Sequence, residues 1–369
     1  MGLFGKKQRG YLGIDLGTSS VKIVQLDDLD GRPKLVTYGF SETPASIVKT
    51  DDPALHARLA EVVKQIIAES HATATHVVAA LPSYAVFSSV ISLPAMSEKE
   101  LVSAVRWEAK KFVPMPLDEM TLDWKVLNIP GVKGAEGRHG LDVMRGKAGQ
   151  GDQRQKVKNL EILLTAAPKN IVRRYLSLFK MTGLQLMSLE TEAFALERSL
   201  IGNDRAAILL VDVGALSTDI SVIVDRVPVL NRSIDVGGDT ITRTIAKNFN
   251  ISIDRAEQFK RDFGIAASQG NQVPKTIEFV VGSVINEIKH VFSLYASQGG
   301  TPIEKVVLAG GSSFLPQLPE FLSSTLNIKV FIGDPWARVI YPEELTPALK
   351  EIGPRFAVSV GLALRHLVP

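Results

Sequence analysis

The stretch Tyr11–Leu26, YLGIDLGTSSVKIVQL, decides the fold of this chain. Two apolar runs flank the polar turn Asp15–Ser20, and this arrangement predicts two β-strands joined by a tight turn. Gly17 lets the backbone approach an anion closely, and the N–H groups of such a turn can bind phosphate. Further candidate donors to phosphate oxygens are Thr18, Ser19, Ser20 and Lys22. Taken alone, the motif also suits an ordinary β-hairpin.

A second copy of this pattern lies at Ala207–Ile223, AILLVDVGALSTDISVI. It repeats the strand, the Asp-x-Gly turn and the following strand, as an internal duplication would. Two such turns that face each other can clamp the phosphates of a nucleotide. The candidate residues of the second turn are Asp212, Gly214, Ser217 and Thr218. Asp219 either fixes the turn or takes part in the site, and the sequence leaves both roles open.

The two aspartates that precede the turns, Asp15 and Asp212, are candidates for metal binding and catalysis. A carboxylate can hold Mg²⁺ through water, because Mg²⁺ gives up its hydration shell reluctantly. We expect Asp212 to face the γ-phosphate side, where a carboxylate can orient a water molecule.

Three later segments complete the predicted site. The loop Gly310–Gly311–Ser312 follows an apolar strand and suits close approach of the backbone to an adenosine. A helix is predicted to carry Glu257 and Lys260 on one face, from which they can reach the ribose and the base. A surface ion pair is the alternative for these two residues. The turn Gly237–Gly238–Asp239 lies between the second phosphate turn and this helix.

Composition narrows the function classes. The 369 residues are 45% hydrophobic and 22% charged, which is typical of globular proteins. Cysteine is absent, which excludes thiolate metal sites, and we expect any metal to be bound through oxygen ligands. The net charge of +3 is small and argues against nucleic-acid binding. We find neither a membrane-spanning run nor a signal peptide, and we expect the short basic N-terminus of residues 1–10 to be frayed rather than membrane-bound.

Elsewhere, apolar strands alternate with helices, which predicts an α/β fold. Helices are expected after Asp52 and after Ser97, and Ser97 forms a capping box with Glu100. Between two predicted strands, Gly131–Lys158 contains seven glycines and many charges, which predicts a flexible, solvated loop. Further helices are predicted over Thr191–Leu200, Leu315–Leu326 and Pro354–Leu367.

Five motifs, in order along the chain, resemble the actin, Hsp70 and sugar kinase superfamily. They are LGIDLGTSSVKIVQL, LLVDVGALSTDISVI, VGGDTIT, RAEQFK and VVLAGGSSFLP. Within that superfamily the chain is similar to the PilM family of type IV pilus assembly proteins and to its relative FtsA. The segments PAMSEKELVSAVRWEAKKFVPMPLDEMTLDW and LETEAFALERSL look particularly like PilM.

The resemblance implies a duplicated actin-like (ribonuclease H-like) α/β fold with a relocated small α+β subdomain. The implied boundaries are 1–86 and 167–203 for the first domain, 87–166 for the small subdomain with the loop 131–158, 204–338 for the second domain, and 339–369 for a helix that returns to the first domain. The implied ligand is ATP with Mg²⁺. Its implied phosphate contacts are Asp15, Gly17, Thr18, Ser19, Lys22, Asp212, Gly214, Ser217 and Thr218. The remaining implied contacts are Gly237, Gly238, Asp239, Glu257, Lys260, Gly310, Gly311 and Ser312.

The resemblance also implies a role. It is that of a cytoplasmic platform protein of pilus assembly and twitching motility, recruited to the inner membrane by its partners. The implied partner is the cytoplasmic N-terminal tail of PilN, together with other inner-membrane platform proteins and a possible second copy of the chain. Any ATP hydrolysis is expected to be slow.

Two other roles within the superfamily compete with this one. An FtsA-like filament protein of cell division would carry a linker and an amphipathic helix beyond the fold, whereas here the last predicted helix runs into Leu367–Val368–Pro369. A small-molecule kinase would need a catalytic base beside a second substrate pocket, which the sequence does not indicate.

Overall fold

The computed structural model describes residues 10–42, 51–127, 159–266 and 273–368. The predicted loop 131–158 and the basic N-terminal patch lie outside these ranges, apart from Gly10. The chain divides into two compact units, of which one comprises Met1–Ser83 with Arg174–Pro369 and the other Tyr84–Arg173. The finer division implied by the resemblance stays a prediction.

The described residues form strands and helices in alternation. The strands are β1 (Tyr11–Leu16), β2 (Val21–Leu29), β3 (Arg32–Ser41), β4 (His76–Leu81), β5 (Phe87–Pro94), β6 (Met120–Val126), β7 (Asn159–Pro168), β8 (Gln185–Thr191), β9 (Ile208–Val213), β10 (Thr218–Val224), β11 (Val227–Ile234), β12 (Lys305–Ala309) and β13 (Lys329–Ile332). The helices are α1 (Pro53–Glu69), α2 (Glu98–Phe112), α3 (Lys169–Thr182), α4 (Glu192–Leu196), α5 (Gly238–Phe249), α6 (Ile253–Phe263), α7 (Val273–Ser297), α8 (Leu318–Leu326) and α9 (Thr346–Leu364).

Two five-stranded sheets of the larger unit share one topology. Their strand orders are β3-β2-β1-β4-β8 and β11-β10-β9-β12-β13. In each sheet the first three strands are antiparallel, and the last two continue parallel to the central strand. This correspondence confirms the duplication predicted from the two Asp-x-Gly turns.

Helices cover both sheets and bury their apolar residues. In the second sheet, β9, β10 and β12 pack against α5, α7 and α8 around a core that includes Leu209, Val222 and Ile288. In the first sheet, α9 lies on β1 and β2 and buries Phe356 and Val360 against Val24 and other residues of that layer. Burial of this many large aliphatic side chains is the main stabilising contribution to each layer.

Helices α4 and α9 cross in backbone contact. A Cβ atom on Gly361 would overlap the carbonyl oxygen of Ala195, so only glycine fits at this crossing. Nη1 of Arg198 donates a hydrogen bond to the Gly361 carbonyl oxygen at 2.6 Å and tethers the same point.

The smaller unit is a three-stranded antiparallel sheet, in the order β5-β7-β6, covered by α2. Helix α2 buries Leu101, Val105 and Ala109 against this sheet. The predicted capping box is confirmed, because the backbone N–H of Ser97 donates to Glu100 Oε2 at 2.9 Å and its hydroxyl donates to the same oxygen at 2.6 Å.

Three predicted helices have bounds that differ from those in the structure. Helix α9 begins at Thr346 rather than Pro354, because the buried Pro354 is accommodated inside the helix, where its carbonyl oxygen accepts from the Gly310 N–H at 2.9 Å. Helix α8 begins at Leu318 rather than Leu315, since Gln317 adopts a left-handed conformation with φ of 63°. The helix predicted over Thr191–Leu200 ends at Leu196 and continues as a π-helical turn, Glu197–Ile201.

Within the described ranges, no helix has both the length and the apolar character that crossing a bilayer requires.

Candidate functional site

The predicted turns with Gly17, Gly214 and Gly310 follow the carboxyl ends of parallel strands. In the first sheet Gly17 follows β1; in the second, Gly214 follows β9 and Gly310 follows β12. Glu192, which is outside the predicted set, follows β8 of the first sheet. Parallel strands end at the same edge of a sheet, and ligands of open α/β sheets bind at that edge. The topology therefore gathers segments that are distant in sequence.

The first turn is held by an ion pair. Asp15 lies opposite Lys22 across β1 and β2, and Lys22 Nζ is 2.9 Å from Asp15 Oδ2. Both side chains are almost buried, with exposed fractions of 11% for Lys22 and 8% for Asp15. The ion pair with Asp15 therefore holds the Lys22 side chain beside the turn.

The hydroxyl residues of the first turn differ in exposure. Ser19 is exposed, Thr18 is half-buried and Ser20 is buried. The role of Thr18 and Ser19 as donors to phosphate stays a prediction.

The second turn has a different charge pattern. Asp212 lies opposite Asp219 across β9 and β10, so two carboxylates occupy the place of an aspartate and a lysine. Ser217 Oγ donates to Asp219 Oδ2 at 3.3 Å, and the buried Thr218 Oγ1 donates to the Val236 carbonyl at 2.6 Å. Both hydroxyls thus donate hydrogen bonds to other groups of the protein, and their contacts with a phosphate stay predictions.

Three glycine-containing segments of the second half form one connected surface. The Gly238 N–H donates to the Gly214 carbonyl at 3.0 Å, and Ser312 Oγ donates to the same oxygen at 3.2 Å. The Asp239 N–H donates to the Ala215 carbonyl at 2.8 Å. The structure therefore brings together the second turn, the turn Gly237–Gly238–Asp239 and the loop Gly310–Gly311–Ser312.

The backbone conformation at position 310 requires glycine. Its φ of 80° and ψ of 165° belong to a region that only glycine adopts readily. A Cβ atom here would also overlap Asp212 Oδ1 and the Val213 carbonyl oxygen. Any other residue would push the loop away from the second turn.

Glu257 and Lys260 belong to this same surface. Lys260 Nζ donates to Glu257 Oε2 at 2.6 Å and to the Gly238 carbonyl at 3.2 Å, and Thr242 Oγ1 lies 2.6 Å from Glu257 Oε2. Burial raises the pKa of Glu257, but the hydrogen bonds from Lys260 and Thr242 outweigh it and leave that pKa lowered. The two side chains do form the ion pair of the alternative interpretation, and their contact with a ribose or base stays a prediction.

Uncompensated negative charge accumulates at the second turn. Burial, followed by the charges of Asp219 and Asp15, raises the pKa of Asp212 to about 7, against a smaller lowering by Lys22. Burial also raises the pKa of Asp219. A cation bound here would relieve this repulsion.

Glu192, the first residue of α4, joins these acids although the sequence did not single it out. Its Oε2 accepts from the Ser83 N–H at 2.8 Å and from the Ser83 hydroxyl at 2.6 Å. Burial raises its pKa well above the ordinary value, and Asp219 and Asp15 add to the shift. Its place directly after a parallel strand of the same sheet as β1 is the signal that would have found it.

The arrangement of these acids bears on metal binding. Within the described residues, no three His, Cys, Asp or Glu side chains converge in a metal-ligating arrangement. The acids suit a hydrated Mg²⁺ that takes most of its ligands from water and phosphate, which is how proteins usually hold this ion.

Comparison with protein families gives a match along most of the chain. The model of the type IV pilus assembly protein PilM family matches residues 13–137 and 149–367. FtsA, the cell division protein, of Streptococcus pneumoniae is 23% identical over 386 residues, covering 93% of this chain and 81% of its own. FtsA of Neisseria meningitidis is 25% identical over 178 residues, covering 42% of this chain and 41% of its own.

Solved structures agree on the fold. A chain of the PilM-PilN type IV pilus biogenesis complex superposes with a TM-score of 0.80 at 28% identity, covering 98% of this chain and 100% of its own. The ethanolamine utilization protein EutJ of Carboxydothermus hydrogenoformans gives a TM-score of 0.55 at 17% identity, covering 96% and 88%. MreB 5 of Spiroplasma citri bound to AMPPNP gives 0.53 at 12%, covering 96% and 95%. The predicted actin-like fold is confirmed.

Proposed function

The chain belongs to the PilM family of type IV pilus assembly proteins, and we propose that it is an ATP-binding platform protein that acts at the cytoplasmic face of the inner membrane. The observation that carries this proposal is the 28% identity, over 98% of the chain, with a chain of the PilM-PilN complex. The connected glycine surface supports the nucleotide part independently.

In the proposed ATP site, different segments contact different parts of the nucleotide. Lys22 and the N–H groups of the first turn bind phosphate oxygens, and the second turn faces them from the other sheet. Gly310, Gly311 and Ser312 hold the adenosine, with Glu257 and Lys260 at the ribose and base. The close approach of Gly310 to Asp212 supports this assignment, because it keeps the adenosine loop beside the phosphate turns.

Asp15 and Asp212 are the proposed residues that hold Mg²⁺ through its bound water. The raised pKa of Asp212 supports this assignment, because a cation would stabilise the ionised carboxylate. The bound ion would supply charge compensation at the phosphates. Asp212 and Glu192 are the proposed groups that orient a water molecule, and any ATP hydrolysis is expected to be slow.

The proposed partner is the cytoplasmic N-terminal tail of PilN, bound in a groove at the small unit Tyr84–Arg173. Recruitment to the membrane would follow from this contact and from other inner-membrane platform proteins. Binding of ATP would set the conformation that the partner meets.

Two measurements test the proposal. Calorimetry should show that Asp15→Ala and Asp212→Ala each weaken Mg-ATP binding, and unchanged affinity in both variants would overturn the site assignment. A labelled peptide of the PilN N-terminal tail should bind the whole chain, whereas a scrambled peptide of the same composition should not. Equal binding of the two peptides would overturn the partner assignment.

A coupled assay addresses the kinase alternative. We expect no sugar-dependent phosphoryl transfer, and its appearance would replace the platform role by a metabolic one. Assembly of the purified chain with Mg-ATP into filaments on vesicles, without any PilN peptide, would favour the FtsA-like alternative.

A further inference from the structure

Thr242, the last residue of the motif VGGDTIT, is buried in the second turn of α5. A buried hydroxyl needs hydrogen-bond partners. The hydroxyl of Thr242 finds two of them on the neighbouring helix α6, in the side chains of Glu257 and Lys260. These are the two residues of α6 that are proposed to bind the adenosine.

The position of the hydroxyl proton follows from the distances. Oγ1 of Thr242 lies 2.6 Å from Glu257 Oε2, 2.9 Å from the Gly238 carbonyl oxygen and 2.9 Å from Lys260 Nζ. A hydroxyl has one proton to donate, and an ammonium can only donate to it. The distance of 2.6 Å is typical of a hydroxyl that donates to a carboxylate. The proton therefore goes to Glu257, and Oγ1 accepts from Lys260.

The Lys260 ammonium is also fully bonded. Its three N–H groups match three acceptors, which are Glu257 Oε2 at 2.6 Å, Thr242 Oγ1 at 2.9 Å and the Gly238 carbonyl at 3.2 Å. The other carboxylate oxygen, Glu257 Oε1, accepts from Arg261 Nε at 3.0 Å. These bonds fix the side chains of Glu257 and Lys260 in one arrangement, with the Thr242 hydroxyl between them.

Thr244, two residues further along α5, shows what is particular to Thr242. Its Oγ1 donates to the carbonyl of Thr240, four residues earlier, at 2.7 Å. Thr242 lies in the same relation to the Gly238 carbonyl, and such contacts are ordinary for threonine in a helix. Of these two threonines, both of which the structure describes, only Thr242 also hydrogen-bonds to residues of α6.

We propose that Thr242 is a positioning residue for the adenosine part of the nucleotide site, because its hydroxyl holds Glu257 and Lys260 in place for the nucleoside. This inference rests on the proposed nucleotide site. Side chains that are already held by neighbours lose less conformational entropy when a ligand binds, so their preorganisation raises the affinity. The phosphates are assigned to the two Asp-x-Gly turns, so their binding should not depend on Thr242.

The test is calorimetry on the whole chain with ATP and, separately, with tripolyphosphate, which lacks the nucleoside. Thr242→Val removes the hydroxyl and keeps the branched shape of the side chain, and Thr242→Ser restores the hydroxyl. Thr242→Ala is a second variant without the hydroxyl, in which no methyl group replaces it. Thr244→Val is the matched control, because it removes a hydroxyl from the same helix that bonds to the helix backbone.

Thr242→Val and Thr242→Ala should each weaken ATP binding by about tenfold, the usual effect of losing a hydrogen bond to a charged group, and leave tripolyphosphate binding unchanged. Thr242→Ser and Thr244→Val should bind ATP as the parent does. An ATP affinity that is unchanged in both Thr242→Val and Thr242→Ala would overturn the proposal. An equal loss of ATP and tripolyphosphate binding in these two variants would overturn it too, since the effect would not be confined to the nucleoside.

A pH titration of ¹³C-labelled glutamate gives a readout that a purely structural role would not move. Burial raises the pKa of Glu257, but the hydrogen bonds from Lys260 and Thr242 outweigh it. Thr242→Val should therefore raise this pKa and Thr244→Val should not, with the resonance assigned from Glu257→Gln. An unchanged pKa in Thr242→Val would overturn the proposal. If the parent chain bound no ATP, the proposed nucleotide site would fall and this role with it, whereas equal ATP binding by the parent and by Thr242→Val would overturn the role of Thr242 alone.

Discussion

Lys22 and Asp219 occupy the same position in the two duplicated hairpins, each directly across its sheet from the aspartate that precedes the turn. In the first hairpin the pair is Asp15 with Lys22, and its charges cancel. In the second hairpin Asp212 faces another carboxylate. The duplication has thus kept the backbone and reversed one charge, which leaves the second turn acidic.

This reversal predicts a change in the pKa of Asp212 when Asp219 is neutralised. Asp219→Asn should lower that pKa from about 7, because the nearby negative charge is removed while burial remains. The decrease should be on the order of one unit. The measurement is the pH titration of ¹³C-labelled aspartate carboxyl resonances.

The control is Asp225→Asn, which neutralises an exposed aspartate at the other end of the same strand. It should leave the titration of Asp212 unchanged. An equal effect of both substitutions would mean that the net charge of the protein, rather than the neighbouring carboxylate, raises the pKa.

The raised pKa of Asp212 also predicts how stability depends on pH. The carboxyl titrates at about 7 in the folded chain and near 3.8 when unfolded, so the folded state holds the proton more tightly. Its stabilising contribution is present below the unfolded value and is lost as the pH rises through the folded value. Without metal and nucleotide, Asp212→Asn should therefore be more stable than the parent at pH 8, by on the order of 2 kcal/mol.

Urea unfolding at pH 4, 6 and 8 in the presence of a chelator measures this difference. The advantage of the variant should shrink as the pH falls and be nearly absent at pH 4. A variant that is less stable than the parent at pH 8 would contradict the prediction, since it would show that ionised Asp212 is stabilised by partners in the fold.

Gly310 allows a prediction with a matched control. Gly310→Ala should lower the free energy of unfolding by about 3 kcal/mol or more, because the methyl group meets Asp212 and the Val213 carbonyl in a glycine-only conformation. Gly183 has a similar φ, 76° against 80°, but a Cβ atom there meets nothing within 4 Å. Gly183→Ala should cost only about 1 kcal/mol. Equal losses in urea unfolding would show that backbone strain alone accounts for both.

Much of the fold could be predicted because it rests on local patterns. The Asp-x-Gly turns, the capping box at Ser97 and the spacing of α6 are each encoded by residues that are close in sequence. The start of α9 could not be predicted in this way. Proline ordinarily begins or breaks a helix, and only the packing of Pro354 against the Gly310 loop shows that it lies inside one.

The site was predicted less completely, for a related reason. Glycines and paired aspartates mark the phosphate turns in the sequence itself, whereas Glu192 carries no motif and enters the site through the order of strands in the sheet. The partner of the Thr218 hydroxyl likewise depends on where β11 places Val236. Residues that act through tertiary neighbours leave little signal in a single sequence.

The crossing of α4 and α9 gives another prediction with an internal control. Gly361→Ala should strongly destabilise the chain, by about 3 kcal/mol or more, because the added methyl group overlaps the Ala195 carbonyl. Gly353, in the same helix, would place a methyl group at an ordinary 3.4 Å from Pro335 and Trp336. Gly353→Ala should cost only about 1 kcal/mol, because the added methyl group crowds the ring of the following Pro354 while the helix propensity of alanine offsets part of that cost. Thermal unfolding of the two variants compares them directly.

The contact between Gly361 and Ala195 also connects the two duplicated halves. Beside the backbone contact, Leu196 of α4 belongs to the same buried cluster as Val358 and Leu362 of α9. Helix α4 leads from the first sheet into the second, and α9 packs on strands of both. The hydrogen bond from Arg198 to Gly361 keeps the two helices from separating at that point. The crossing is therefore an anchoring point shared by the two duplicated halves, where α4 and α9 cannot separate without breaking this hydrogen bond.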